Sequence, residues 1–176
     1  MNPWHNIPRS RIKKDRFEAI IEISKESKNK YELDKETGLL RLDRILFTST
    51  HYPANYGFIP KTYGEDGDPL DVLVLCSQTI LPLTLVECYP IGVIRMVDQG
   101  KNDEKIIAVA CNDPVYSSYK DITELPNHIG QEIRHFFQVY KMLEKKDTIV
   151  YESENREEAE HIIDECIKRY RASFGD

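Results

Sequence analysis

The run LDVLVLC, from Leu70 to Cys76, is apolar on both of its alternating faces except at Asp71. A strand of that kind must be covered on both sides, which points to a closed or layered sheet. Two more β-rich stretches follow it, LTLVECYPIGVIRMVD and KIIAVACND, with turn signals between them. Upstream, RFEAIIEI alternates as a strand, with Phe17, Ala19, Ile21 and Ile23 on one face and Glu18, Ile20 and Glu22 on the other. NKYELDKETGLLRLDR reads as a hairpin turning at Glu36-Thr37-Gly38, with Lys30, Glu32 and Asp34 sharing one face of its first strand. The segment from Ser49 to Pro69 reads mostly as loop from its Pro, Gly and Asn content.

The pattern changes after Asp121. Ile129, Ile133, Phe136, Phe137, Tyr140 and Leu143 recur at helical spacing and predict a helix from Pro126 to about Leu143. A second helix is predicted over ENREEAEHIIDECIKRY, capped by Asn155 with Glu158 three places on. Strands first and two helices last imply an α+β chain, mainly β: a compact barrel or curled sheet with the helices packed outside. With 176 residues and no linker or low-complexity tract, one domain over 1–176 is expected.

A formal charge of −6 argues against nonspecific nucleic-acid binding, which needs a basic surface. The cysteines at 76, 88, 111 and 166 form no CxxC pair, and Cys76 and Cys111 read as reduced core thiols. No apolar stretch approaches the length of a membrane span, and the first residues lack the apolar core of a signal peptide. A reduced cytoplasm is the expected compartment.

The chemistry concentrates just before the apolar strand, where EDGDPLD crowds Asp66, Asp68 and Asp71 around Gly67 and Pro69. Carboxylates at that spacing repel one another unless something positive sits among them. An EF-hand calcium loop counted from Asp66 fails, since its sixth place is Asp71 rather than Gly and its twelfth is Ser77 rather than Glu. Magnesium fits better, because it takes oxygen ligands and is usually completed by water and phosphate. Other polar residues stand oddly for a plain barrel: Glu22 beside Ile20, Lys30 and Glu32 around Tyr31, and Arg44 after a strand. Asp98, Asp103 and Lys105 fall in VDQGKNDEK, read as a hairpin-like loop, and Tyr140 and Lys141 end the first helix. Acids with Lys, Arg and Tyr suit a metal-complexed phosphate ester or anhydride. The five histidines show no metal-ligand spacing.

The chain resembles the soluble family I inorganic pyrophosphatases. DGDPLDVLVL fits that family's Asp-x-Asp-Pro-x-Asp motif, and IEI, KYELDKETG, DR, YPANYGFIP, VDQGKNDEK and HFFQVYK occur in the family's order over nearly the whole length. The resemblance implies a five-stranded OB-like barrel and magnesium-dependent hydrolysis of inorganic pyrophosphate to two orthophosphates by a metal-activated water. It implies Asp66, Asp71 and Asp103 as ligands of the tighter ions, with Asp71 bridging two, and Asp98, Glu32 and Glu22 for further ions. Asp68 would be the general base. Lys30, Arg44, Tyr140 and Lys141 would grip phosphate, and Tyr52, Tyr56 and Lys105 would complete the pocket, Tyr56 near the leaving phosphate. Mn2+, Zn2+ or Co2+ are implied as substitutes for Mg2+, and a homohexamer as the assembly.

Two other readings compete. A metal-dependent phosphohydrolase of nucleotides or phosphomonoesters would keep the ions, but the chain has no GxxxxGK[ST] loop. An OB-type binder of single strands would use the tyrosines as stacking platforms, against the acidic balance of the loops.

Overall fold

The computed structural model of the protein describes residues 1–175. A one-turn helix α1 (Pro3–Asn6) and a short strand β1 (Ile12–Lys13) lead into β2 (Arg16–Ile23). The hairpin β3 (Asn29–Leu33) and β4 (Leu40–Ile45) follows, then β5 (Asn55–Ile59), β6 (Leu70–Leu75), β7 (Leu85–Asp98) and β8 (Lys101–Ala110). Helix α2 (Asn127–Val139), strand β9 (Thr148–Asn155) and helix α3 (Arg156–Phe174) complete the chain.

β2, β5, β6, β8 and β7 pair in that order, and β7 pairs back onto β2, closing a five-stranded ring. All pairings in the ring are antiparallel except β6 with β8. β1 extends the ring beside β2 and β9 lies beside β7, while β3 and β4 form a separate two-stranded sheet. The doubly apolar β6 behaves as its sequence requires. Val72 and Val74 pack with Ala159, Ile163 and Ile167 of α3, and Leu73 and Leu75 with Phe136 and Phe137 of α2. Full burial of side chains of this size stabilises the fold by roughly 1.5–3 kcal/mol each.

The structure extends or corrects several sequence expectations. The Ser49–Pro69 segment is mostly loop, as expected, but it also contains β5, a strand its composition does not announce, whose five residues are all buried. Gly57 is there for contact: a Cβ would stand 1.8 Å from the Ile20 carbonyl oxygen on β2. Asn55 is there because its side chain replaces backbone partners, accepting from Lys25 N and Ile80 N at 3.0 Å each and donating to Gln78 O. The VDQGKNDEK loop shrinks to Gln99-Gly100, both at positive φ, so Asp103 and Lys105 belong to strand β8. Helix α2 stops at Val139; Met142–Glu144 form a 3-10 turn closed by left-handed Lys145, and Leu143 is exposed. β9, exposed at almost every residue, had no apolar pattern to announce it and separates the two helices.

The α3 cap is as expected, with Asn155 Oδ1 accepting from Glu158 N at 3.0 Å. All four cysteines are free, but it is Cys88 and Cys166 that are buried, while Cys76 and Cys111 are only half-buried. Among the described residues no helix is long and apolar enough to cross a membrane.

Candidate active site

A cavity of about 270 Å³ opens at one end of the ring. Its walls come from the β3–β4 hairpin, the aspartate turn before β6, the β7–β8 hairpin and the residues just past α2, over a floor of Tyr56 and Phe58 from β5.

Register explains the centre of the site. In the parallel β6–β8 pair Asp71 stands opposite Lys105, and Asp103 lies two residues before Lys105 on the same face of β8. The Lys105 ammonium, 2 % exposed, donates to Asp71 Oδ2 at 3.0 Å, Asp103 Oδ2 at 3.2 Å and the Tyr56 hydroxyl at 2.8 Å. Burial alone would lower its pKa, but Asp103 and Asp71 outweigh that and hold it raised. The tight turn brings Asp66 and Asp68 to the same cavity. Gly67 sits at φ +85°, Gly64 N donates to Asp68 O at 2.7 Å, and Asp66 Oδ1 accepts from Asp68 N at 3.0 Å.

Acids outnumber the cations that could neutralise them in the interior. Burial raises Asp71 to about 6 even with Lys105 in contact. Burial also raises Glu22 to about 8, although its carboxylate accepts from Leu33 N at 2.7 Å. The Asp66 carboxyl is pushed up by desolvation and by the charge of Asp103. Asp98 pairs through Oδ2 with Lys141, and its Oδ1 is buried without a partner. An additional cation fits this donor set: hard oxygen ligands, an orphaned acceptor, and carboxyls driven toward the neutral form by burial. Among the described residues no three His, Cys, Asp or Glu side chains are arranged to hold a metal ion by themselves. Lysines hold several of the oxygens instead.

The structure gathers nearly all the residues expected from sequence. Glu22, Lys30, Glu32, Tyr56, Asp66, Asp68, Asp71, Asp98, Asp103, Lys105, Tyr140 and Lys141 all line the cavity. Lys30 bridges Glu32 and Asp43. Burial raises the phenol pKa values of Tyr56 and Tyr140, so both stay protonated as hydroxyl donors. Two expected residues stand off the wall. Arg44, cross-strand partner of Lys30, turns its guanidinium to Asp43 and Glu144, leaving Nη2 buried and unpartnered. Tyr52 is 1 % exposed and packs its ring on Tyr56 and Phe136, at 5.2 and 4.7 Å between centroids. It supports the floor without reaching the cavity. Sequence reasoning missed Lys35, which lines the cavity and is ion-paired with Asp68. A lysine in a hairpin turn carries no signal of its own, and only the fold joins residues 33 positions apart.

Residues 19–171 match the family described as Inorganic pyrophosphatase. The chain is 44% identical to a soluble inorganic pyrophosphatase of Chlamydomonas reinhardtii over 98% of its own length and 90% of the relative's. It is 52% identical to one from Solanum tuberosum over 85% of its length and 71% of the relative's. Its structure is similar to that of the inorganic pyrophosphatase from Thermus thermophilus, with TM-score 0.93 and 37% identity, covering 97% of this chain and 99% of that one. The Helicobacter pylori inorganic pyrophosphatase matches with TM-score 0.90 and 43% identity, covering 95% and 99%. With a closed five-stranded ring, an acid-lined cavity at its end and relatives of this identity over nearly full length, the chain belongs to the inorganic pyrophosphatase family of hydrolases.

Proposed function

We propose that the protein hydrolyses inorganic pyrophosphate to two orthophosphates with magnesium, and that Asp68 is the general base. The observation that carries this reading is the cluster of Asp66, Asp71 and Asp103 around the one buried ammonium of Lys105, with Asp66 and Asp71 raised by burial, in a cavity also lined by Lys30, Lys35 and Lys141. Buried carboxyls in excess of the lysines that pair with them share one small cavity, which suits a metal-complexed phosphoanhydride whose phosphates can take over those lysines.

Asp66, Asp71 and Asp103 are the residues to hold the tighter ions, with Asp98, Glu32 and Glu22 for others. Bound magnesium would supply the charge that lets acids and a polyanion share the site, and would make a water molecule more acidic. Mn2+, Zn2+ or Co2+ would serve as substitutes. Asp68, exposed at the cavity mouth, takes the proton of the attacking water on a carboxylate oxygen. Lys30 and Lys141 hold the phosphates through charge-assisted hydrogen bonds, and Arg44 joins them through its unpartnered Nη2 after a small rotation away from Asp43. Tyr140 donates its hydroxyl to a phosphate oxygen. Tyr56 and Lys105 meet the charge developing on the leaving phosphate. A homohexamer in the cytoplasm completes the reading.

Phosphate release from pyrophosphate, ATP and a phosphomonoester, each with magnesium and with EDTA, tests this. Fast release from pyrophosphate alone, abolished by EDTA, is expected. Comparable turnover of ATP with magnesium would overturn the substrate assignment, and full activity in EDTA would overturn the metal.

A further inference from the structure

The N-terminal residues are tied to the tip of the β3–β4 hairpin. Asn2 Nδ2 donates to Lys35 O at 2.9 Å, and the Met1 carbonyl oxygen lies 2.2 Å from where a Cβ at Gly38 would stand. Gly38 also sits at φ +78°, so glycine is required there twice over. The tip is stiff. Asp34 Oδ1 accepts from Glu36 N and Thr37 N at 3.0 Å each, and its Oδ2 meets Arg41 at 2.8 Å.

This anchoring places the Lys35 ammonium between two partners of different kinds. On one side is the Asp68 carboxylate; on the other is the face of Trp4, with its centroid 4.9 Å away. Trp4 is itself fixed, 6 % exposed, with its indole N–H donating to Thr62 O at 2.8 Å and its carbonyl accepting from Lys61 N at 3.0 Å. It is also the sole tryptophan of the chain.

We propose that Lys35 is a further substrate-binding residue, parked on Asp68 and over Trp4 in the free protein and passing to a phosphate oxygen when pyrophosphate binds. Its ammonium already lines the cavity and has a flexible stem, 38 % exposed, on a rigid turn. A phosphate oxygen carries more charge than one carboxylate oxygen and competes for the same donor. Moving Lys35 also frees Asp68 to take a proton, so binding and release of the base are one event. The proposal rests on the pyrophosphate reading of the cavity. It needs Asp68 as base only for that last consequence.

Because the ammonium faces the only indole, its departure has an optical signature. Methylenediphosphonate with magnesium is expected to raise Trp4 emission in the wild type, and to leave Lys35→Met with less than about one fifth of that change. Steady-state kinetics should show KM for pyrophosphate raised about tenfold in Lys35→Met, the loss of one charge-assisted hydrogen bond, with kcat within about threefold. Lys35→Arg should restore KM to within about threefold. A Trp4 response of equal size in Lys35→Met, or a KM within about twofold of wild type, would overturn the proposal. A purely structural Lys35 would lower stability without this split between KM and kcat. Phosphate release that fails with pyrophosphate in every variant would overturn the substrate reading instead, so the two failures are distinguishable.

Discussion

Asp68→Asn is expected to lower kcat by about 10²–10⁴, the usual contribution of a positioned general base, with little change in KM. That corresponds to about 3–5 kcal/mol of transition-state stabilisation. The variant should fold normally, because what Asp68 gives the fold passes through its backbone. Its N–H reaches Asp66 Oδ1 and its carbonyl receives Gly64 N, and asparagine keeps both. Its side chain is 60 % exposed, so no core contact is lost. The one side-chain interaction removed is the ion pair with Lys35, an exposed contact whose loss costs about 0–1 kcal/mol of stability. A fall in turnover without a fall in melting temperature therefore separates chemistry from folding. Wild-type turnover in Asp68→Asn would remove it as the base.

Lys105→Met is the second large effect, and it falls on stability. Removing one partner of a buried ion pair costs about 3–5 kcal/mol, because the remaining charge is left uncompensated. Here the remainder is two carboxylates, Asp71 and Asp103, that share one ammonium at 3.0 and 3.2 Å. Burial raises Asp71 even with that ammonium present, so its charged form depends on Lys105. For a chain of this size the expected drop in melting temperature in EDTA is about 10 °C. Magnesium should recover a large part of it, since a cation that binds only the folded state stabilises by mass action. Thermal unfolding followed by circular dichroism in EDTA and in magnesium measures both. An unchanged melting temperature in EDTA would show that Lys105 is not the internal counter-charge.

The parts of the molecule legible in sequence were those written in hydrophobic pattern or local clustering. β6 was visible because Val72, Leu73, Val74 and Leu75 are apolar on both faces, and the two cores they meet are the reason. The aspartates of the site were visible because three of them share one turn, and the resemblance carried the other polar residues. β5 was hidden because Asn55 and Gly57 look like turn residues. Each serves a tertiary purpose, the amide replacing backbone partners and the glycine admitting β2. β9 was hidden because a strand with one buried residue in eight has no periodicity to detect. The resemblance implies Arg44 and Tyr52 in the pocket. The structure holds Arg44 to Asp43 and Glu144 and gives Tyr52 to the aromatic core beneath the floor. Lys35 has the opposite history: its partner Asp68 is remote in sequence, and the N-terminal anchor that aims it is local to neither.

Asp66, Asp71 and Asp103 around Lys105 are proposed as a cation clamp. Anomalous-difference density from crystals grown with manganese tests it most directly, since each ion appears at its own position. Peaks are expected between Asp66, Asp71 and Asp103 at oxygen-ligand distances, with Lys105 displaced from at least one carboxylate. Well-ordered crystals with no peak at those three residues, or with manganese only at acidic side chains outside the cavity, would contradict it.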